Sequence, residues 1–422
     1  MAECYTLRYV NIATNKIESG NNAPPQQIES PLTGNIRNSS IELLRLISMF
    51  MIVACHFVMG NKANGASGLW ISEQPLSFTN FFYQVICRGG GWFGNIVFFT
   101  ISVWFLIDKN ITVKNSLKRI WILERELLFW SITLFVVTVV LHQQGIYRDG
   151  LAMLGVRSVL PLSTNLWWYP TSYALFLLFI PYLSIALKAL GRKLHCTLAI
   201  SVLIIWGIAP LLPKITFNLV SDTVFNFLYL FILISYYKWY MSEFSNRTCI
   251  ILILVGLSTN ILYWLAGSII YSHTGKLIQM QNYLVVRCSI SEMMIGFAVF
   301  ILFTKFSFHS RIINVLAASA FGVYLIHIYP SMIAVWPNYL SINKVFYNTW
   351  AIPLGLLEIF IIFGVCLVLD LLRQGLFATT INRNKGKWFE LMYATIQRKV
   401  AHRKSYRKPH VSSDSVPKHR AD

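Results

Sequence analysis

Ten runs of mostly apolar residues dominate this sequence, at about 41–59, 91–107, 120–141, 166–187, 196–212, 223–240, 248–272, 284–304, 312–335 and 350–373. Each is close to the 17 to 25 residues that a helix needs to cross about 30 Å of hydrocarbon. Within lipid a backbone must satisfy its own amides, which only helices and closed barrels achieve, and runs of this length exclude barrel strands. The expected fold is therefore all-α: a polytopic transmembrane helix bundle of about ten spans. Composition agrees, with 55% hydrophobic and 13% charged residues and a mean hydropathy of +0.56. Two shorter apolar pieces, 78–87 and 151–161, read as interfacial or re-entrant segments, and "RGGGW" at 88–92 reads as a turn before a span.

An even number of spans puts both termini on one side, and the distribution of Lys and Arg selects which side. Connections 108–119, 188–195, 238–248 and 305–311 carry eleven basic residues in thirty-eight, whereas the alternate connections 60–77, 142–165, 213–222, 273–283 and 336–349 carry six in seventy-seven. The basic set is assigned to the cytoplasm, which makes both termini cytoplasmic. Residues 1–40 read as a disordered cytoplasmic tail, 41–373 as the membrane domain, and 374–422 as a basic cytoplasmic tail able to lie on anionic lipid. The formal charge of +19 thus reports topology and contact with membrane lipid, with no basic soluble domain to suggest nucleic acid as a partner.

Seven cysteines, Cys4, Cys55, Cys87, Cys196, Cys249, Cys288 and Cys366, are scattered without a CxxC pair, so they read as small core residues and no metal site is expected. There is no GxSxG, HExxH or P-loop signature. His142, His195, His273 and His309 fall in connections and receive no role.

The first span, "IELLRLISMFMIVACHF", carries Arg45 and His56 eleven residues apart. That spacing is within about 20° of three helical turns, so both project from one face about 16 Å apart along the axis. Glu42 lies within about 40° of the same line. A polar stripe inside a membrane must face protein or water. His327, in the ninth span, is about as far from its span's start as His56 is from its own, and Glu292 in the eighth span comes to a similar middle depth. A neutral imidazole can take a proton from a hydroxyl near neutral pH, which makes His56 a candidate general base. Each of these groups could instead serve as an interhelical hydrogen bond, and Arg45 could snorkel to headgroups. Trp167, Trp168 and Tyr169 in "NLWWYP" read as an interfacial belt, or as a stacking platform for a sugar ring.

The same stretch resembles the first helix of the membrane acyltransferase 3 family, marked by an Arg followed eleven residues later by a His. The resemblance continues through "NIVFFTISVWFLI" (95–107), "LPLSTNLWWYPTSYALFLLFIP" (160–181) and "INVLAASAFGVYLIH" (313–327), and covers roughly residues 38 to 375. It implies transfer of an acyl group, typically acetyl from cytoplasmic acetyl-CoA, to a hydroxyl of an extracytoplasmic polysaccharide or lipid-linked glycan precursor, in a bacterial plasma membrane. By motif position His56 matches the family's essential His and Arg45 its Arg partner, with Glu42, His327 and Glu292 as candidate supporting groups. Two departures stand out. The family's Ser-Gly in the second span is Ser102-Val103 here, and its close arginine pair is spread into Lys118, Arg119 and Arg125, the candidate acyl-CoA contacts. A glycan flippase, polymerase or transporter using buried His and Glu is the rival reading, and consumption of acyl-CoA separates the two. A membrane scaffold would account for the basic tail but leaves the Arg45 and His56 stripe without a purpose.

Overall fold

The computed structural model describes residues 38–59, 71–107, 111–212, 223–276, 289–382 and 386–406. Residues 1–37 of the expected tail 1–40, the end of the C-terminal tail from 407, Cys4 and Cys288 lie outside the described residues, while Ser39 and Ser40 already belong to the first helix. Two compact units separate at the C-terminal side, Met1–Gln374 and Gly375–Asp422. Among the described residues of the first unit every regular element is helical.

In chain order the helices are α1 (Ser39–Met59), α2 (Phe78–Ile107), α3 (Val113–Gln143), α4 (Leu151–Val159), α5 (Trp168–Leu211), α6 (Val224–Tyr240), α7 (Asn246–Thr274), α8 (Ile290–Lys305), α9 (Arg311–Ala318), α10 (Ala320–His327), α11 (Pro330–Tyr339), α12 (Ile342–Val345) and α13 (Ala351–Thr379). The second unit contains α14 (Lys387–Tyr406), in which the rings of Phe389 and Tyr393 stack one turn apart. Short polar residues open several of these helices. The side chains of Thr112, Ser245 and Ser310 each accept a hydrogen bond from the backbone N–H three residues on, which satisfies a donor that the first turn leaves orphaned.

Among the described residues six helices, α1, α2, α3, α5, α7 and α13, are long and apolar enough to cross a membrane, and a seventh crossing results if α9–α10 and α11–α12, bent by 86°, form one span. The expected segments are redistributed rather than lost. The fourth and fifth runs join in the 44-residue α5, kinked where Gly191 takes φ 68°. The sixth and eighth occupy α6 and α8, of 17 and 16 residues.

One local expectation is corrected. "RGGGW" is not a turn: Phe78–Ile107 is continuous, passing through π-helical Phe82–Arg88 directly into Gly89. Gly90 and Gly91 of this stretch, and Gly94 one turn on, are packing contacts: a Cβ at Gly91 would meet Cys55 Cβ at 2.1 Å. A Cβ at Gly94 would stand 2.5 Å from the carbonyl oxygen of Ser48, so their absence of side chains lets α2 lie against α1 backbone to side chain, as small residues do in membrane bundles. With α2 pressed on it, α1 is largely buried at the centre of the bundle.

Around this pair, Phe99 of α2, Phe176 of α5 and Phe227 of α6 form an aromatic core, with centroids 4.5 Å apart for Phe99 and Phe227 and 5.3 Å for Phe176 and Phe227, distances at which aromatic pairs gain beyond their area. The outer helices display Ile132 and Val136 of α3, Leu262 of α7 and Leu372 of α13. Such uninterrupted apolar surface is a lipid-facing one.

Candidate active site

His56 and His327 come together in the final turns of α1 and α10. Nδ1 of His56 is 2.8 Å from Nε2 of His327, and the ring centroids are 5.0 Å apart. The other nitrogen of His327, Nδ1, is 2.7 Å from the carbonyl oxygen of Val323. A carbonyl can only accept, so His327 carries its proton on Nδ1 and presents the Nε2 lone pair to His56. His56 then donates through Nδ1–H, which leaves its own Nε2 as the basic nitrogen of the pair. The two-ring relay fixes a tautomer, as carboxylates and carbonyls do for catalytic histidines elsewhere.

The bend after His327 is held from three sides. Trp167 Nε1 donates to the Leu325 carbonyl at 3.1 Å, the hydroxyls of Ser158 and Tyr329 lie 2.7 Å apart, and Thr138 Oγ1 donates to Ser331 Oγ at 2.7 Å. Pro330 opens α11, where its missing N–H costs nothing. Turned across the pair, α11 contributes Ile333, Trp336 and Pro337 to a small cavity of about 40 Å³ that both histidines border. That is room for about one water molecule, or for one reacting group of a larger ligand.

The remaining sequence candidates occupy other places. Arg45 is ion-paired with Glu42 at 2.6 Å, one turn away on α1 and largely buried; three helical turns keep it about 16 Å along the axis from His56. Glu292 is buried in α8, where Asn260 Nδ2 of α7 donates to its Oε1 at 2.9 Å. Lys118, Arg119 and Arg125 are half-buried along the first part of α3. Trp167 and Tyr169 are buried against the bundle, the latter with its hydroxyl 3.1 Å from Ser102 Oγ, while Trp168 is half-buried against the Phe99 ring at 6.0 Å. Among the described residues no group of three His, Cys, Asp or Glu side chains is placed to hold a metal ion.

A second polar centre went unnoticed in the sequence. Asp370 of α13 is fully buried and accepts from Trp130 Nε1 of α3 at 2.9 Å and from Arg373 Nε at 2.7 Å. Arg373 also reaches Glu126 of α3 at 3.0 Å, and Gln374 Nε2 donates to Ser319 Oγ at 2.5 Å. Gly322 of α10 lies so close that a Cβ there would meet Asp370 Oδ1 at 1.8 Å. The network thus clamps the base of α10, and His327 stands five residues beyond the clamp. Its sequence signal was the Asp and Arg three apart inside an apolar run, "LDLLRQ".

Comparison with known proteins gives one match: the family of acyltransferase domains of the acyltransferase 3 type, over residues 38–371. No curated protein and no solved structure matches the chain. The matched stretch runs from the start of α1 into α13 as far as the residue after Asp370, and so contains the histidine pair, its covering helix and Asp370, Trp130 and Glu126 of the clamp. A multi-pass bundle with a paired, tautomer-fixed histidine at its centre, matched over most of its length, belongs to the acyltransferase 3 family.

Proposed function

We propose that this membrane acyltransferase moves an acetyl group from cytoplasmic acetyl-CoA to a hydroxyl of an extracytoplasmic polysaccharide or of a lipid-linked glycan precursor, in a bacterial plasma membrane. The observation that carries the chemistry is the hydrogen bond from His56 to His327, with the Val323 carbonyl behind it. In this reading His56 Nε2 removes the acceptor's proton as the oxygen attacks the thioester carbonyl, forming the ester C–O bond. The C–S bond then breaks, and the proton passes from the imidazolium to the departing sulfur, so that CoA leaves as the thiol. Base assistance of this kind contributes about 10² to 10⁴ in rate.

The donor is anionic, and the chain offers cations for it at the end of the bundle opposite His56 along α1. Arg45, held in place by Glu42, begins this inner mouth, and Lys118, Arg119 and Arg125 continue it; arginine suits phosphate oxygens because it binds them in a bidentate fashion. The basic connections support ten crossings with both termini cytoplasmic. Trp168 is the aromatic residue of "NLWWYP" that is left half-exposed for a glycan ring.

The test is transfer of labelled acetyl from acetyl-CoA to envelope glycan in membranes carrying matched amounts of wild type, His56→Ala or His56→Gln. Transfer by wild type alone supports the assignment. Transfer by His56→Gln at near wild-type rate overturns it, and labelled protein recovered in place of labelled glycan would move the reaction to an acyl-histidine relay.

A further inference from the structure

A second opening, of about 390 Å³, lies between α5, α6, α7 and α8, on residues that the acyl-transfer chemistry does not use. Its walls are aliphatic and aromatic, with Leu203, Leu233, Met293 and Met294 among them, and methionine suits a surface that must fit flexible chains. Ile200 and Met241 at its edge are about half exposed, so the groove opens sideways toward lipid.

Its polarity is confined to one end. There Cys196 and Tyr236 line the groove, and Arg192 lies beside the Tyr236 hydroxyl at the same end. Arg192, Cys196, Ala199 and Leu203 recur every three to four residues and share one face of α5. From Arg192 to Leu203 that face runs about 16 Å, close to half of the roughly 30 Å hydrocarbon core. One cation at the headgroup level, followed by a single leaflet's depth of apolar wall, is the profile of a lipid.

The rim is built in advance of any ligand. His195 is buried behind it, 3.0 Å from the Ile232 carbonyl, with the rings of Tyr236, Trp239 and Tyr240 edge-on around it at 5.4, 5.7 and 5.8 Å. Lys188 Nζ lies 5.3 Å from the Trp239 ring centre. Segments 188–193 and 236–243 together carry Lys188, Arg192, Lys193 and Lys238 against the single acid Glu243. Lys238 is turned inward, its Nζ 3.1 Å from the Trp104 carbonyl, while Lys188 and Arg192 stand beside Trp239 and Tyr236 at this end.

We propose that this groove binds an anionic phospholipid of the surrounding bilayer, one acyl chain lying along the α5 face and the phosphodiester held by Arg192 and Tyr236. Basic residues at the membrane surface favour anionic headgroups by about 1 kcal/mol each, and lateral entry requires no extraction of the lipid from its leaflet.

The experiment uses the full chain, delipidated in detergent and titrated with phosphatidylglycerol or phosphatidylcholine of identical chains, with bound lipid counted by native mass spectrometry. One phosphatidylglycerol should bind about tenfold tighter than phosphatidylcholine. Arg192→Gln, at an exposed position, should abolish that preference, and Leu233→Trp should weaken both lipids by filling the groove; thermal melting checks that both variants fold. Equal binding of the two lipids by wild type, or a preference that survives both substitutions, overturns the proposal. Displacement of phosphatidylglycerol by a long-chain acyl-CoA at lower concentration than by a second anionic phospholipid also overturns it, and assigns the groove to the donor.

Discussion

The bundle buries two polar centres beside the same short helix, α10, and treats them differently. At the base of α10, Asp370, Arg373 and Glu126 meet as two carboxylates around one guanidinium, with Trp130 completing the Asp370 shell. At its tip the His56 and His327 rings are neutral in the tautomer their partners dictate, and they border a cavity. A guanidinium held between two carboxylates fixes geometry, because its partners tie α3 to α13. A neutral pair whose second basic nitrogen is set by a relay holds less but can take up a proton. Stability should therefore reside in the clamp and chemistry in the pair, a division that substitutions can break.

The largest effect is expected at the tip. His56→Gln keeps size and a donor but removes the basic nitrogen, and acyl transfer should fall by about 10² to 10⁴ with the melting temperature changed little. His327→Phe should also lower transfer, since His56 would lose the acceptor that sets its tautomer, and the double variant should be scarcely worse than His56→Gln alone, as for residues acting as a unit. A large loss of folded protein in His56→Gln would erase the distinction between the two centres.

The clamp comes next, and its readout is stability. Asp370→Asn removes a charge partner of Arg373, and Arg373→Met takes the guanidinium from the buried Asp370 and the half-buried Glu126. Breaking a buried pair from one side costs about 3 to 5 kcal/mol, so Arg373→Met should reduce the folded fraction sharply in a thermal or denaturant assay in detergent. Transfer per folded molecule should fall far less than in His56→Gln. Gly322→Ala probes the same centre sterically: with a Cβ 1.8 Å from Asp370 Oδ1, a loss of about 1 to 3 kcal/mol from overpacking is expected. A Gly322→Ala protein of normal stability and strongly reduced transfer would show instead that the clamp sets the aim of His327.

What the sequence disclosed follows from the range of each interaction. Arg45 and His56 are legible because a helix alone dictates their common face, and the Glu42 to Arg45 ion pair is likewise a matter of one turn. The contact of His56 with His327 spans 271 residues; the similar distance of each from its helix start made them comparable in depth, but only packing could bring the rings together. Trp130 and Asp370 are 240 residues apart, and nothing local marks a tryptophan in α3 as the partner of an aspartate in α13. Helix continuity failed at "RGGGW" because the glycines were read for their backbone freedom, whereas Gly90 and Gly91 serve close approach to α1. The connection expected over 188–195 coincides with the kink at Gly191, where two helices meet at a residue of φ 68° and ψ 175°.

Glu292 decides where the comparison has its edge, and its effect should be the smallest. It is a buried carboxyl, like Asp370, yet it is held by the neutral Asn260 and sits in the middle of the sequence-predicted polar depth, like the histidines. Glu292→Gln preserves shape and can still hydrogen bond to Asn260 with its amide oxygen as acceptor. If the side chain is a tie between α7 and α8, that variant should change stability by about 1 kcal/mol or less, whereas Asn260→Ala, which strips the carboxyl of a donor, should cost about 1 to 3 kcal/mol. Transfer should stay near the wild-type rate in both. A Glu292→Gln protein that melts normally but transfers slowly would move Glu292 from the class of Asp370 to that of His56, because only a group whose charge enters the reaction is sensitive to losing it while its hydrogen bond survives.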